Sequence, residues 1–462
     1  MKRPTQLLLL LFGLLLLYAV FALGTPVAQA KMPDRQRRDI FLVVTGFLGV
    51  AGGLVWRKAG ADRSRESTLV TCAAVALPVW ALVQLIPLPV MLVNLLSPVR
   101  GDLLRGLEPL FGRQGFASLS IVPAVTLNHF LLLASYSVLL LAAREFAFRA
   151  RRGIWMVAAP VVLAGVGEAA MAMLQFTAAG DTQVRGTYVV RNHLAGLLEM
   201  ALPLAVMYGV ARLRAARNRG RGAPGEVLKA AGAFAVAALL LAGALVTLSR
   251  GGLMAILGSA VMMSVMAIGR DVPVRQRIVA GLGLGVVVFG GLLALTPESL
   301  VDRLSSHSSE GRTALWREAV GVVRDYPLTG TGMGGFQSAF LKYKALEGKF
   351  IVEYAHNDYL QGLAEMGVIG FLIPVLLIAL VLKRSVRIAA EGSEMRWMGV
   401  ACLGSVTAML IHSVVDFNLY VPANAAVFAW ICGLAVGLTP ATLIPVSPRI
   451  ISRSGIEDER GF

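Results

Sequence analysis

The chain has 462 residues, of which 56% are hydrophobic and only 15% are charged. This composition excludes an ordinary soluble protein, and we expect a lipid bilayer to surround most of the chain. The formal net charge of +16 does not indicate nucleic acid as a partner, because the basic residues form short clusters between apolar runs and no nucleic-acid-binding motif is present.

Twelve apolar runs are candidates for membrane-crossing helices, which need about 20 residues each. The runs lie at residues 7–24, 39–56, 68–86, 127–148, 154–176, 194–211, 229–247, 251–268, 277–295, 364–382, 397–415 and 422–438. The predicted fold class is therefore all-α, a polytopic integral membrane protein of about 12 transmembrane helices. A cytoplasmic amino terminus places most lysines and arginines in inside loops, so both termini are predicted to be cytoplasmic. The segment KMPDRQRRD falls outside and opposes this orientation.

The runs and loops divide the chain into five regions. Residues 1–30 are either the first transmembrane helix or a signal peptide with the cleavage motif AQA, and we expect the helix to be retained. The regions that follow are spans two to nine in 31–295, one large periplasmic loop at 296–358, the last three spans in 359–438, and a cytoplasmic tail at 439–462.

The large loop contains one segment with a helical pattern. In ALWREAVGVVRDYP the apolar residues recur at helical spacing, with the charges opposite. The pattern predicts an amphipathic helix that lies at the membrane surface and ends at Pro327. The TGTGMGGF segment that follows predicts a flexible turn.

Polar side chains at a membrane face are costly unless they are paired or used, so clusters on one face are informative. On the predicted topology three clusters lie outside. The first contains Arg185, Arg191 and Asn192, within RGTY and RNH just before the sixth run. Two guanidinium groups and an amide suit a phosphate, but interfacial anchoring by arginines would give the same pattern.

The second cluster is Ser249-Arg250-Gly251-Gly252, in a short turn between the seventh and eighth runs. The guanidinium of Arg250 presents a fixed fork of donors suited to phosphate oxygens, and the glycines let a ligand approach the backbone. The alternative is an ordinary hairpin turn with an exposed charge.

The third cluster, AHNDYLQ, closes the large loop and contains His356 and Asn357. A histidine at the mouth of a span is suited to act as a general base on a hydroxyl nucleophile, whereas a structural histidine is the alternative. Upstream, the loop contains Arg312 and the glycine-rich segment TGTGMGGF, which a simple linker would not require.

Other chemistries lack the residues they need. The three cysteines, Cys72, Cys402 and Cys432, lie in apolar runs without a CxxC spacing, so neither a disulfide framework nor a metal cluster is expected. Walker A, Rossmann, HExxH and GxSxG motifs are absent, and the outside loops lack a DxD-like acidic pair. We therefore expect no cofactor and no metal in the reaction.

Four segments, taken in order, resemble the O-antigen ligase and O-antigen polymerase superfamily: RGTYVVRNHLAG, LSRGGLMA, GRTALWREAVGVVRDYPLTGTGMGGF and AHNDYLQGLAEMGVIG. The resemblance implies a GT-C-like fold and a metal-independent, inverting glycosyltransferase whose donor is a glycan on undecaprenyl diphosphate. In the ligases the acceptor is the lipid A core, in the polymerases it is another lipid-linked glycan, and in related oligosaccharyltransferases it is a protein hydroxyl.

The same resemblance assigns roles to particular residues. Arg191, in RNH, and Arg250, in SRGG, match the arginine pair that holds the diphosphate, and His356 matches the catalytic histidine. We expect Arg185 or Arg312 to assist the pair.

Asn357 is a further candidate for binding the substrate. The resemblance places the protein in the bacterial inner membrane, with the active site facing the periplasm. The competing function from another class is a transporter or flippase for lipid-linked glycans. Glu168 and Glu199 lie within spans, where ionisable residues could serve in transport.

Overall fold

The computed structural model of the chain describes residues 1–29, 31–57, 65–150, 153–179, 184–219, 223–268, 272–283, 308–343, 351–391 and 395–439. The regular structure of these residues is almost entirely helical. The exceptions are two short strands, β1 (Leu88–Pro89) and β2 (Phe116–Ala117), which pair antiparallel. The predicted all-α membrane protein is confirmed.

The α-helices in chain order are α1 (Arg3–Ala22), α2 (Met32–Arg57), α3 (Arg65–Leu85), α4 (Val90–Leu96), α5 (Pro98–Phe111), α6 (Pro123–Arg149), α7 (Trp155–Ala179), α8 (Arg191–Arg219), α9 (Pro224–Val246), α10 (Arg250–Ala267), α11 (Ser308–Asp325), α12 (Phe336–Phe340), α13 (Asp358–Ala389), α14 (Arg396–His412) and α15 (Pro422–Gly437). Among the described helices, nine are long and apolar enough to cross a membrane, namely α1 to α3, α6 to α10 and α13.

Each predicted run coincides with one of these helices, except the run at 277–295. Most of that run lies outside the described residues, although 274–283 is helical. Helices α14 and α15 are 17 and 16 residues long, shorter than the roughly 20 residues of a full crossing. The predicted tail, apart from Thr439, and parts of the large loop also lie outside the described residues.

The centre of the bundle is formed by α8, α14 and α15, and α15 is buried along its whole length. Trp430 of α15 is fully buried and donates its indole N–H to the Val157 carbonyl at 2.7 Å. Phe12 of α1 packs edge-to-face on Phe146 of α6 and lies beside Trp430. Helix α1 is thus part of the core, and its retention in the mature protein stays a prediction.

The amphipathic helix predicted in the large loop is present as α11. Its apolar side packs on protein, because Leu315, Ala319 and Val322 are buried in one cluster with Phe336 and Phe340 of α12. The apolar face of α11 is therefore covered by the loop and by the start of α13, so it is not available to contact lipid. The position of the helix at the membrane surface stays a prediction.

Helices α8, α10, α13 and α15 all begin at one end of the bundle, here called the site end. Asn192 of α8 and His356, just before α13, both contact Asp416, which lies just before α15. At the start of α10, Gly251 lies against His412, the last residue of α14. Because α14 and α15 are short, the turn between them, residues 413–421, is recessed and largely buried there. This recess leaves room at the site end for the polar side chains described below.

Helix α13 is kinked near its start at Gly367, whose φ is 63° and ψ is 178°. The glycine-rich segment after α11 supplies hydrogen bonds to the backbone groups around the kink. Thr331 N–H donates to the Ala364 carbonyl at 2.9 Å, and Val368 N–H donates to the Pro327 carbonyl at 2.8 Å. The segment predicted as a flexible turn is therefore packed and bonded against the first turns of α13.

Gly367→Ala should strongly destabilise the fold. This backbone conformation is essentially restricted to glycine, and a methyl group at Gly367 would lie 2.4 Å from the carbonyl carbon of Leu328. We expect a loss of at least about 2 kcal/mol, measured by thermal unfolding in detergent. Gly232→Ala is the matched control, since nothing lies within 4 Å of its added methyl. Equal unfolding temperatures for the two variants would contradict the prediction.

The orientation of the site end is tested by labelling. Ser338 is an exposed residue of α12 in the large loop, and Asn218 is exposed at the opposite end of the bundle. In a background in which the exposed Cys72 is replaced by serine, Ser338→Cys should react with a membrane-impermeant thiol reagent in intact spheroplasts. Asn218→Cys should react only after permeabilisation. The reverse pattern would place the large loop in the cytoplasm.

Candidate active site

Arg191 and Arg250 are the first residues of α8 and α10. The two helix starts are in contact, because a methyl group added to Gly252 would lie 2.8 Å from the methyl of Ala195. Backbone N–H groups and the helix dipole make the start of a helix favourable for an anion. The two predicted phosphate-binding arginines therefore occupy adjacent helix starts at the site end.

The turn that carries Arg250 has a constrained backbone. Ser249 caps α10, and its hydroxyl oxygen accepts the Gly252 N–H at 3.2 Å. Leu248 has a φ of +54°, in the left-handed region that bulky residues rarely adopt. Strain of this kind persists only where the surrounding structure holds the turn in place. The position of the first residues of α10 is therefore fixed as well.

His356 lies two residues before α13, and its side chain is 41% exposed. Its φ of +49° also lies in the left-handed region. Contacts on both sides hold this conformation. The indole N–H of Trp316 in α11 donates to the Ala355 carbonyl at 3.0 Å, and Asn357 caps α13 by accepting two backbone N–H groups, each at 3.0 Å. The ring of His356 is thus presented at a defined place above the start of α13.

Asp416 lies in the recessed turn, and its side chain is only 1% exposed. One carboxylate oxygen, Oδ1, is 3.3 Å from His356 Nδ1 and accepts the Phe417 N–H at 2.9 Å. The other oxygen accepts the side-chain amide of Asn192 at 2.7 Å. Burial alone would raise the pKa of Asp416, but the rings of His193 and His356 hold that pKa well below its usual range. Asp416 is therefore a carboxylate placed to orient the His356 ring.

A second histidine, His193, also approaches this carboxylate. It is fully buried, and its Nε2 is 3.8 Å from Asp416 Oδ1, beyond hydrogen-bonding distance. The Phe417 ring packs edge-on against both His193 and His356, with centroids 4.8 Å apart in each case, and stacks on Tyr354. His356 is accessible and His193 is not, so His356 is the better placed of the two to meet a substrate.

A buried acid–histidine pair lies beneath the turn that carries Arg250. Glu199 of α8 and His412 of α14 are 2.9 Å apart, between Oε2 and Nδ1. A methyl group added to Gly251 would lie 2.7 Å from His412 Nε2, so the start of α10 rests directly on this pair. Glu199 therefore joins three helices at the site end.

The second acid considered for transport, Glu168, also has local partners. Its carboxylate accepts the Thr187 N–H at 3.0 Å and the Thr187 hydroxyl, and it thereby fastens the RGTY segment to α7. Both acids thus have partners close to the site end, whereas a transport pathway needs ionisable groups at a central site.

The other predicted residues are placed as follows. Arg185 is exposed, and its backbone N–H donates to the Gln175 side chain at 3.1 Å. Arg312 is half-buried on α11, one turn before Trp316 on the same side of the helix, and its assistance to the arginine pair stays a prediction. The side-chain oxygen of Asn357 is used to cap α13, and its binding of substrate stays a prediction.

Asp416 is a candidate site residue that the sequence analysis did not predict. It is the lone acidic residue in SVVDFNLY, a short polar break between the last two apolar runs. Like Arg250, it is a charged residue in a short turn between two apolar runs, and polar side chains at a membrane face are costly unless they are paired or used.

The described residues define a polytopic membrane protein with a carboxylate-backed histidine beside two arginines at helix starts. Residues 235–375 of the chain match the family described as O-antigen ligase. The match includes Arg250, Arg312 and His356, whereas Arg191 and Asp416 lie outside it. The match supports assignment to the O-antigen ligase and polymerase family, which confirms the resemblance drawn from the sequence. No match to a curated protein was found.

Proposed function

We propose that the protein transfers a glycan from undecaprenyl diphosphate to an acceptor hydroxyl at the periplasmic face of the bacterial inner membrane, as an O-antigen ligase. The observation that carries this proposal is the contact between His356 and the buried carboxylate of Asp416, next to the adjacent helix starts that bear Arg191 and Arg250. A base for a hydroxyl and a site for a diphosphate are the two parts that such a transfer requires.

The donor binds with its diphosphate at Arg191 and Arg250. Beneath these arginines, a mostly apolar cavity of about 320 Å³ lies between α8, α9 and α10, with Leu253 near its outer end and Ala267 near its inner end. Glu199, which is paired with His412, also lines it. Ala267 follows Leu253 by 14 residues, a separation that corresponds to about 21 Å of helix. A cavity of this length under a cationic mouth suits the polyprenyl chain of a diphosphate lipid.

The reaction is a direct displacement. Asp416 binds the Nδ1–H of His356, which leaves Nε2 free to accept a proton. The acceptor oxygen gives its proton to Nε2 and attacks the anomeric carbon, while the bond from that carbon to the diphosphate oxygen breaks. The electron pair leaves with polyprenyl diphosphate, whose charge the arginines stabilise. Attack from the face opposite the leaving group inverts the anomeric configuration.

The acceptor separates the ligase from its nearest alternative. A ligase uses the lipid A core, whereas an O-antigen or exopolysaccharide polymerase uses another lipid-linked glycan. In a deletion strain, unattached but full-length lipid-linked polymer on the periplasmic side means a ligase, and single repeat units mean a polymerase. Accumulation of lipid-linked glycan on the cytoplasmic side would mean a flippase and would overturn the proposal.

Purified protein should transfer glycan from an undecaprenyl-diphosphate donor at the same rate with and without EDTA, because two arginines, not a metal, neutralise the leaving group. NMR of the product should show an inverted anomeric configuration. A rate abolished by EDTA and restored by a divalent cation would contradict metal independence. Retention of configuration would contradict the single displacement.

A further inference from the structure

The segment between α3 and α6 exposes large apolar side chains, although it contains no spanning helix. Met91 and Leu95 of α4 are 85% and 73% exposed, and Leu110 and Phe111 of α5 are 76% and 70% exposed. The two helices have 7 and 14 residues, which correspond to about 10 and 21 Å, so neither can cross a bilayer. The segment, residues 88–117, is here called the α4–α5 unit.

The two sides of α5 differ in polarity. The apolar side chains of its second half share one side of the helix: Leu103, Leu107, Leu110 and Phe111. The exposed charged side chains lie on the other side: Asp102, Arg105 and Glu108. A helix of this pattern is suited to lie along the boundary between lipid head groups and acyl chains.

The α4–α5 unit is packed on the rest of the protein through one side. Val93 of α4 is fully buried, and Arg100 of α5 donates from Nε to the Ser118 carbonyl at 3.3 Å. A methyl group added to Gly101 would lie 2.8 Å from the amide carbon of Asn94, so the two helices cross in close contact. The exposed apolar side chains are therefore held facing away from the protein.

The spanning helix α3 carries a lipid-facing side that leads to this surface. Its exposed apolar residues recur at intervals of four, three and four, and the last of them directly follows the helix: Val75, Val79, Leu82 and Ile86. Met91 follows Ile86 by only five residues, and residues 86–99 contain no charged side chain. At the other end of the unit, the Ser120 N–H donates to the Gln84 carbonyl at 3.0 Å. Both ends of the unit are thus held where the lipid-facing side of α3 reaches the membrane surface.

We propose that the α4–α5 unit inserts its exposed apolar side chains into the lipid leaflet at the site end and acts as an interfacial anchor. The partner is the bilayer, because the exposed apolar surface continues the lipid-facing side of α3. The charged side of α5 then faces water. This inference concerns a surface and does not depend on the reaction that the protein catalyses.

Hydrogen bonds link the anchor to the candidate active site. The Ile121 N–H donates to the Thr331 carbonyl at 2.9 Å, and the side-chain amide of Gln84 donates to the carbonyls of Thr329 and Glu365, each at 2.8 Å. These carbonyls belong to the glycine-rich segment and to α13 just before its kink. Contact between the unit and the leaflet therefore sets the height of this part of the site relative to the lipid head groups.

The test is electron paramagnetic resonance of single spin labels on the full-length protein in lipid nanodiscs, with the exposed Cys72 replaced by serine. Labels at Met91→Cys and Leu110→Cys report on the apolar surface, Arg105→Cys is the matched control on the charged side of α5, and Val79→Cys is the lipid reference. The ratio of collision rates with oxygen, which concentrates in lipid, and with water-soluble nickel ethylenediaminediacetate should be several-fold higher at Met91 and Leu110 than at Arg105. It should correspond to a depth of about 5–10 Å in the leaflet.

Two outcomes would overturn the inference. Equal ratios at Leu110 and Arg105 would mean that the apolar surface faces water. An immobilised label at Leu110 that neither reagent reaches would mean that protein covers the surface, and dipolar broadening would identify that protein as a second copy of the chain. All four labelled side chains are exposed, and thermal unfolding in detergent confirms that the variants are folded.

Discussion

Asp416→Asn should lower the rate of glycan transfer about 10²–10⁴-fold while donor binding persists. The buried carboxylate holds Nδ1–H of His356, and an amide at that position would no longer favour the tautomer whose Nε2 accepts a proton. His356→Ala should cause a loss of the same size. The measurement is single-turnover transfer with purified lipid-linked donor, together with donor binding by fluorescence or calorimetry.

The double variant distinguishes a shared role from two separate ones. If Asp416 acts through His356, the variant with both changes should be no slower than the slower single variant. Losses that multiply would mean that Asp416 acts independently of the histidine. Because the pKa of Asp416 lies well below its usual range, the parent keeps the carboxylate ionised at neutral and mildly acidic pH. An asparagine side chain does not ionise, so raising the pH should not rescue Asp416→Asn.

Two controls complete the series. Glu226→Gln removes a carboxylate at the other end of the bundle, where Glu226 pairs with Arg212 and Lys229, and it should leave the rate unchanged. His193→Ala tests the buried histidine on the same carboxylate. If His193→Ala is inactive while His356→Ala turns over like the parent, the assignment of the base is wrong.

Arg250→Lys should reduce transfer about 10²–10³-fold although it keeps the positive charge. Lysine offers a single ammonium group and cannot donate two parallel hydrogen bonds to phosphate oxygens. Arg191→Lys should behave similarly, because Arg191 occupies the equivalent first position of the neighbouring helix. Transfer rate and donor affinity should be measured together. Because the arginines bind the diphosphate more strongly as the bond breaks, their replacement should reduce the rate more than the donor affinity.

Other arginines provide the comparison for this pair. Arg185 is exposed beside the site end, and Arg219 ends α8 at the opposite end of the bundle. Arg185→Lys should cost less than about tenfold, because an exposed charge contributes weakly. Arg219→Lys should have no effect on transfer. Full activity in both Arg191→Ala and Arg250→Ala would remove these arginines from the mechanism.

The sequence predicted most helices because bilayer thickness restricts them directly. A run such as 194–211 is long and apolar enough to cross, and α8 is found there. Arg191, Arg250 and His356 were identifiable because a charged or titratable group at the end of an apolar run must be justified by pairing or use. These local properties depend on neighbouring residues in the chain, so sequence alone determined the helices and the residues that begin them.

Tertiary structure decided which of these residues meet. Asp416 is 60 residues from His356, and their contact depends on how far α14 and α15 extend and on the recessed turn between them. The same holds for the apolar side of α11, which packs on α12 because the loop folds back, although its pattern suits a membrane surface equally well. Helical periodicity tells which side of a helix is apolar, but the partner of that side is set by packing between distant segments.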